Sequence, residues 1–207
     1  MQLREVWKKI CRWVNEPRFL FWQTLLHKVP YTPIRINRFY LLRHTGIPEM
    51  NGLSVRGPGY IREAQLTDVD EMGELENKYD VFRQRLLERE CGAVAIVDGK
   101  IVAYCWFSDK AVHVEGRCLY RIPIPSDSMY GYDLYIHPNY RMSGLWIKFM
   151  IYWGDLMRQS SRNAAISMVD YGNWLSMNTH IRFGFRPFKS VYVVNIIGKR
   201  KYIERDM

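Results

Sequence analysis

Cysteine is scarce in this 207-residue chain: four residues, at positions 11, 91, 105 and 118, with no CxxC pair and no histidines at zinc-ligand spacing. That scarcity excludes a disulfide framework and a small zinc-stapled scaffold, and it predicts reduced thiols in a cytoplasmic protein with no metal requirement. Long apolar runs are also lacking. The run Phe19-Leu20-Phe21-Trp22 is broken by Gln23 and followed by His27 and Lys28, with no small-residue cleavage site. Neither a secretory signal nor the roughly 18 apolar residues of a membrane span is read there. A Gly-rich nucleotide fingerprint, a Walker loop, an HExxH helix and a nucleophile elbow are all missing, so redox, kinase, metalloprotease and serine-hydrolase chemistry have no support.

Acidic residues are outnumbered, 21 Asp/Glu against 30 Lys/Arg, for a net charge of +9. Residues 1–40 hold eight Lys/Arg against Glu5 and Glu16, which places +6 of that charge in the first fifth of the chain. Such asymmetry points to an anionic counterpart: a membrane surface, an acidic carrier protein, a nucleic acid or a partner domain. Within residues 3–14, Leu3, Val6, Trp7, Ile10 and Val14 recur at helical spacing while Arg4, Lys8 and Arg12 occupy another face. This predicts a basic amphipathic helix, which packs on its own domain, on a twin subunit of a homodimer, or on a membrane surface, the last implying peripheral association. Nucleic acid is disfavoured, because the charge sits on one amphipathic helix without a recognition motif.

Glycine and proline concentrate between Gly46 and Gly59, with Pro48, Asn51, Gly52, Gly57 and Pro58 between them, and this predicts a boundary. Residues 1–57 are read as an N-terminal helical extension, extended over Ile34–Leu42, and 58–207 as the main domain. The 48% hydrophobic content suffices for its core. Alternation and turn chemistry then predict strands at Tyr60–Ala64, Ala93–Val97, Ile101–Phe107, Val112–Leu119, Tyr130–His137, Ala165–Val169 and Ser190–Ile197. Asp98-Gly99 marks a tight hairpin. Helices are expected after a cap near Thr67 or Asp68, around Val81–Arg89, from Gly144 for about four turns, and over Trp174–Phe183. The pattern is α+β: a mixed sheet with helices on its faces.

One arrangement carries chemistry. A strand stopped by Pro138 leads through Arg141-Met142-Ser143-Gly144-Leu145 straight into a helix. Unpaired N–H groups and the helix dipole favour an anion there, Gly144 permits close approach, and Arg141 adds charge. The stretch Asp133-Leu134-Tyr135-Ile136-His137-Pro138-Asn139-Tyr140-Arg141-Met142-Ser143-Gly144-Leu145 resembles the donor-binding strand and loop of the GNAT superfamily of N-acyltransferases. Farther on, Asn173-x-x-Ser176-x-x-x-His180-x-Arg182-x-Gly184-Phe185 is similar to the family's Asn-x-x-Ser-x-x-x-Tyr-x-Lys-x-Gly-Phe pattern, with His180 in the tyrosine place. The resemblance covers about residues 58–198.

It implies a GNAT fold: a central, twisted, mostly antiparallel mixed sheet flanked by helices. It also implies an acetyltransferase using acetyl-CoA, or another acyl-CoA or acyl carrier protein, with a small-molecule acceptor amine. The backbone of Leu134, Tyr135 and Ile136 would line the pantetheine arm, and Met142, Ser143, Gly144, Leu145 and Trp146 would hold the pyrophosphate beside Arg141. Asn173 and Ser176 would contact the donor, His180 would serve as acid, and Asp133, Tyr132 or water as base. Asp133 and Tyr132, adjacent on a strand, are expected on opposite faces. Met142 and Trp146 are bulkier than the glycine, or glycine and alanine, usual in the family at those places, which suggests an altered donor. Trp106, Tyr120, Tyr130, Tyr132 and Tyr135 are read as strand aromatics, or as the wall of a site for a large apolar acceptor or a long acyl chain.

Overall fold

The computed structural model describes residues 34–46, 57–196 and 199–207, and the expected helix over residues 3–14 lies outside them. Its elements, in order, are β1 (Ile34–Thr45), β2 (Tyr60–Glu63), α1 (Val69–Leu75), α2 (Tyr79–Leu87), β3 (Cys91–Val97), β4 (Lys100–Ser108), β5 (Val112–Glu115) and β6 (Tyr120–Pro123). There follow β7 (Ser128–Ile136), α3 (Leu145–Gln159), β8 (Ala164–Asp170), α4 (Trp174–Arg182), β9 (Arg186–Ile196) and β10 (Lys199–Asp206). Local chemistry explains several of these bounds. Asp98 and Gly99 both take positive φ, 50° and 76°, as a mirror-image two-residue turn requires, and they join β3 to β4. A short 3-10 turn, Leu66–Asp68, precedes α1 and is closed by a reciprocal Gln65–Asp68 cap.

Eight strands form one sheet in the order β10-β9-β1-β8-β7-β4-β3-β2, antiparallel except for the β7–β8 pair. This is the mixed, mostly antiparallel sheet expected. The strand β1, from the segment read as an extension, lies between β8 and β9, pairing with β9 from Ile34 to Arg43 and with β8 from Phe39 to Thr45. Residues 112–119 depart from the expectation of a single sheet strand. They turn back after Glu115, and β5 and β6 pair only with each other as a hairpin lying on the sheet.

Alternation along the strands divides the core between two faces. On one, Phe39, Tyr104, Trp106, Tyr130, Tyr132 and Val191 meet Val69 and Met72 of α1, Phe82 of α2 and Tyr120 and Ile122 of the hairpin. On the other, Ala93, Ala103, Phe107, Met129 and Ala165 meet Leu145, Phe149, Trp153 and Met157 of α3 and Met177 of α4. Helix α3 therefore packs on this face of the sheet against β7, β4 and β2.

Candidate functional site

The β7–β8 ladder ends early. Ser128 to Gly131 pair with Ala164 to Ser167, and beyond Gly131 the strands separate while β7 stays paired with β4. The cause is a bulge. Tyr104 opposes Tyr135 and Trp106 opposes Tyr132, so Cys105 faces two residues, Asp133 and Leu134, and Asp133 has φ 50°. Leu134, Tyr135 and Ile136 thus form a half-buried edge turned away from β8. The bulge also corrects one expectation. Tyr132 and Asp133 do not face opposite sides, because the extra residue lets both meet Arg85 on the α2 side of the sheet.

Past Ile136, Pro138–Tyr140 forms a 3-10 turn and Gly144 caps α3 with φ 84°. Arg141 is exposed and its Nε donates to the Ile136 carbonyl at 3.3 Å, tying the loop back to the strand. The first turn of α3 leaves the N–H groups of Leu145 and Trp146 without helical acceptors. Ser143 is differently engaged than expected. Its N–H and its hydroxyl both donate to the Tyr140 carbonyl, at 3.1 and 2.6 Å, so it builds the turn and has no N–H left for an anion. Gly57 lies so close to the Ser143 carbonyl that a side chain there would collide with it. Lys148 on α3 donates to the carbonyls of Gly57, Pro58 and Gly59, fixing that neighbouring segment. Met142 is 96% exposed at the loop's tip, and Trp146 turns its indole to α4, 4.5 Å from the ring of Phe183 and edge-on to His180.

On α4, Asn173 Oδ1 accepts from the Ser176 N–H at 3.2 Å, an N-cap that leaves the Asn173 amide group for a ligand. His180 is 7% exposed, with Nδ1 2.8 Å from the Ser176 carbonyl. A carbonyl only accepts, so Nδ1 carries the proton. Burial lowers the imidazole pKa more than this bond restores it, and neutral His180 presents Nε2 as a lone pair. A proton donor was expected at this position. What the structure places there is an acceptor at neutral pH.

The two base candidates are engaged as well. Burial raises the Asp133 carboxyl, but Lys78 Nζ at 2.9 Å and Arg85 Nη1 at 2.6 Å outweigh it and hold the group below the usual carboxylate range. Tyr132 donates to Glu90 Oε2 at 2.6 Å, and burial followed by that bond pushes its phenol upward. Neither is free to take a proton. Beside them, Glu76 Oε2 accepts from Tyr104 and, at 2.9 Å, from Lys78. Lys78, Arg85 and Glu90 were not singled out from sequence, and Glu76 reads there, with Glu71 and Glu74, as an acid that attracts a cationic amine or, more simply, as part of a solvated helix face. One signal was available: Lys78 and Arg85 are seven apart, two turns on one helix face.

Against solved structures, a conserved protein of unknown function from Staphylococcus epidermidis superposes at a TM-score of 0.55 and 10% identity, over 89% of this chain and 67% of that one. A protein assigned to the GNAT acetyltransferases from Novosphingobium aromaticivorans gives 0.55 and 14%, over 86% of this chain and 70% of that one. The fold is the GNAT fold. The GCN5-related glucosamine N-acetyltransferase region of a fungal multi-domain β-N-acetylglucosaminidase is similar too, at a TM-score of 0.56 and 12% identity, over 87% of this chain and 23% of that one. The chain thus spans less than a quarter of the fungal protein's length. No protein-family model matches the sequence, and no curated protein does. Within the GNAT fold of this chain, the opened β7 edge leads through the Pro138–Tyr140 turn to the start of α3, where Trp146 packs on His180 of α4 and on Phe183 at its C-terminal end.

Proposed function

We propose that the chain is an acyl-CoA-dependent N-acyltransferase that transfers an acetyl group from acetyl-CoA to the amine of a small molecule. The observation that carries this reading is the end of the β7–β8 ladder at Gly131 with the Asp133 bulge just beyond it, so that the backbone of Leu134–Ile136 has no strand partner on the β8 side before the chain enters α3 at Gly144. A pantetheine arm carries amides that pair with a strand edge, and a pyrophosphate suits unpaired N–H groups at a helix start beside Arg141. In this reading Met142, Gly144, Leu145 and Trp146 supply the anion contacts, and Asn173 reaches the arm through its side-chain amide.

In the reaction the neutral amine attacks the thioester carbonyl, a β7 N–H stabilises the developing oxyanion, and the C–S bond breaks to release CoA thiolate. Removal of the amine proton falls to Glu76, whose second oxygen has no hydrogen-bond partner among the described residues. Solvent protonates the thiolate, and His180 Nε2 accepts a hydrogen bond from the donor arm or the thiol. Each positioned proton transfer is worth about 10²–10⁴-fold.

A longer acyl group, from CoA or a carrier protein, is favoured by one observation: half-buried Tyr135 on the open edge, its ring stacked 5.8 Å from Tyr104, offers an aromatic face there. A thermal-shift series with CoA, acetyl-CoA and acyl-CoAs of increasing length tests both. A ligand at about 100 times its Kd adds ~2.7 kcal/mol to the native state. The largest shift with acetyl-CoA supports the acetyl donor, a shift growing with chain length supports the longer acyl group, and no shift with any thioester sinks the acyl-CoA reading.

A further inference from the structure

Asp133 is held by more than a surface ion pair. Its backbone is in the left-handed region, unfavourable for a residue with a Cβ, and a bulge leaves it outside the ladder that fixes its neighbours. Yet the side chain is only 22% exposed and each carboxylate oxygen has its own cation, Oδ1 on Lys78 and Oδ2 on Arg85. Both cations come from one helix: Lys78 is the N-cap of α2 and Arg85 lies two turns along it. Each is itself positioned. Lys78 also binds Glu76, and Arg85 lies over the rings of Trp106 and Tyr132 at 5.0 and 5.2 Å, 3.8 Å from Glu90. Two residues before this point β7 parts from β8, and one residue after it the open edge begins.

We propose that Lys78 and Arg85 form a latch on Asp133 that holds the β7 bulge, so that helix α2 positions the edge Leu134–Ile136. That this edge receives the donor arm rests on the acyl-CoA reading; that the latch shapes the edge does not. Asp133 is a positioning residue, acting through the backbone it anchors. A carboxylate between two cations stays ionised, which suits a fixed strut and not a proton shuttle. Removing either side leaves partly buried charge unpaired, so the latch is sensitive to loss of a single member.

The test is amide hydrogen exchange on the full chain, compared with Asp133→Asn, which keeps size and tolerance of positive φ but loses the charge. Arg85→Met is the second variant, with Arg85→Lys as the conservative rescue. The latch predicts exchange at residues 134–136 at least ~10-fold faster in Asp133→Asn and Arg85→Met, near wild type in Arg85→Lys, and unchanged in β1 and β9. CoA affinity should weaken at least ~5-fold alongside. Unchanged exchange at 134–136, or an equal rise throughout the sheet, would overturn the latch. Should wild type bind no CoA, the donor reading fails, and the exchange pattern alone decides the latch.

Discussion

Gly131 of β7 lies against the indole of Trp153 on α3: a Cβ at Gly131 would stand 2.7 Å from the ring, which is 1% exposed and cannot swing away. The same glycine is the last β7 residue paired with β8. Helix α3 can therefore sit this close to the sheet only because position 131 has no side chain. Gly131→Ala should destabilise by about 1–3 kcal/mol through overpacking. In a domain of this size that corresponds to a Tm lower by roughly 2–12 °C. Thermal unfolding checks this, and an unchanged Tm would show that α3 yields.

Two imidazoles, buried His180 and half-buried His113, set a pH dependence. Desolvation lowers the pKa of His180, and of His113, whose ring lies tilted against Tyr130 and Tyr132 where the hairpin meets the sheet. Both stay neutral in the fold at pH values where the unfolded chain, with histidine near about 6.5, binds protons. The unfolded state then holds more protons, so stability falls as pH drops below about 6.5 and levels off under the folded values. Urea melts from pH 7.5 to 5.5 should show the decline in wild type and a flatter slope in the double variant His113→Gln, His180→Gln. Equal slopes would refute it.

Asp68 behaves oppositely in charge but alike in direction. Burial raises its carboxyl, and the Arg62 bonds at 2.6 and 2.8 Å with the Gln65 N–H at 2.8 Å outweigh it, leaving the group below its usual range. Its contribution is complete above about pH 4 and is lost as pH falls further, toward the folded value. Asp68→Asn should cost about 2 kcal/mol at pH 7. Acid titrations followed by circular dichroism should find the gap from wild type closing toward pH 2; a constant gap would mean the loss is steric.

Truncation of Trp146 should separate stability from donor binding. The indole packs on Phe183 and His180, not over the loop's N–H groups. Trp146→Ala should therefore lower stability by about 2 kcal/mol, less than a fully buried aromatic would, with CoA affinity changed less than ~3-fold. A gain of ten-fold or more in affinity would mean that the ring obstructs the donor.

Elements with a local signal were legible in the sequence. Asp98-Gly99, Pro138 and Gly144 each impose backbone geometry on their own, and the hairpin, the end of β7 and the start of α3 fall where they stand. The turn inside 112–119 escaped because Val112, Val114 and Cys118 continue an alternating pattern past Gly116 without a strong turn pair. Strand β10, Lys-Arg-Lys-Tyr-Ile-Glu-Arg-Asp, was not read because edge strands carry charge where central strands carry apolar residues. The bulge had no signature at all. Asp133 adopts positive φ in the middle of an apolar run, and the cations that meet its carboxylate come from α2, distant in sequence.

The position of β1 bears on how the chain assembles. Its partners β8 and β9 lie more than a hundred residues later, so Phe39, Leu41 and Leu42 leave the ribosome long before the strands that bury them exist. Contacts this remote give the domain a high contact order and slow its closure. Until then the early strand is an open β-edge with an apolar face, a natural substrate for a holding chaperone and a hazard for aggregation.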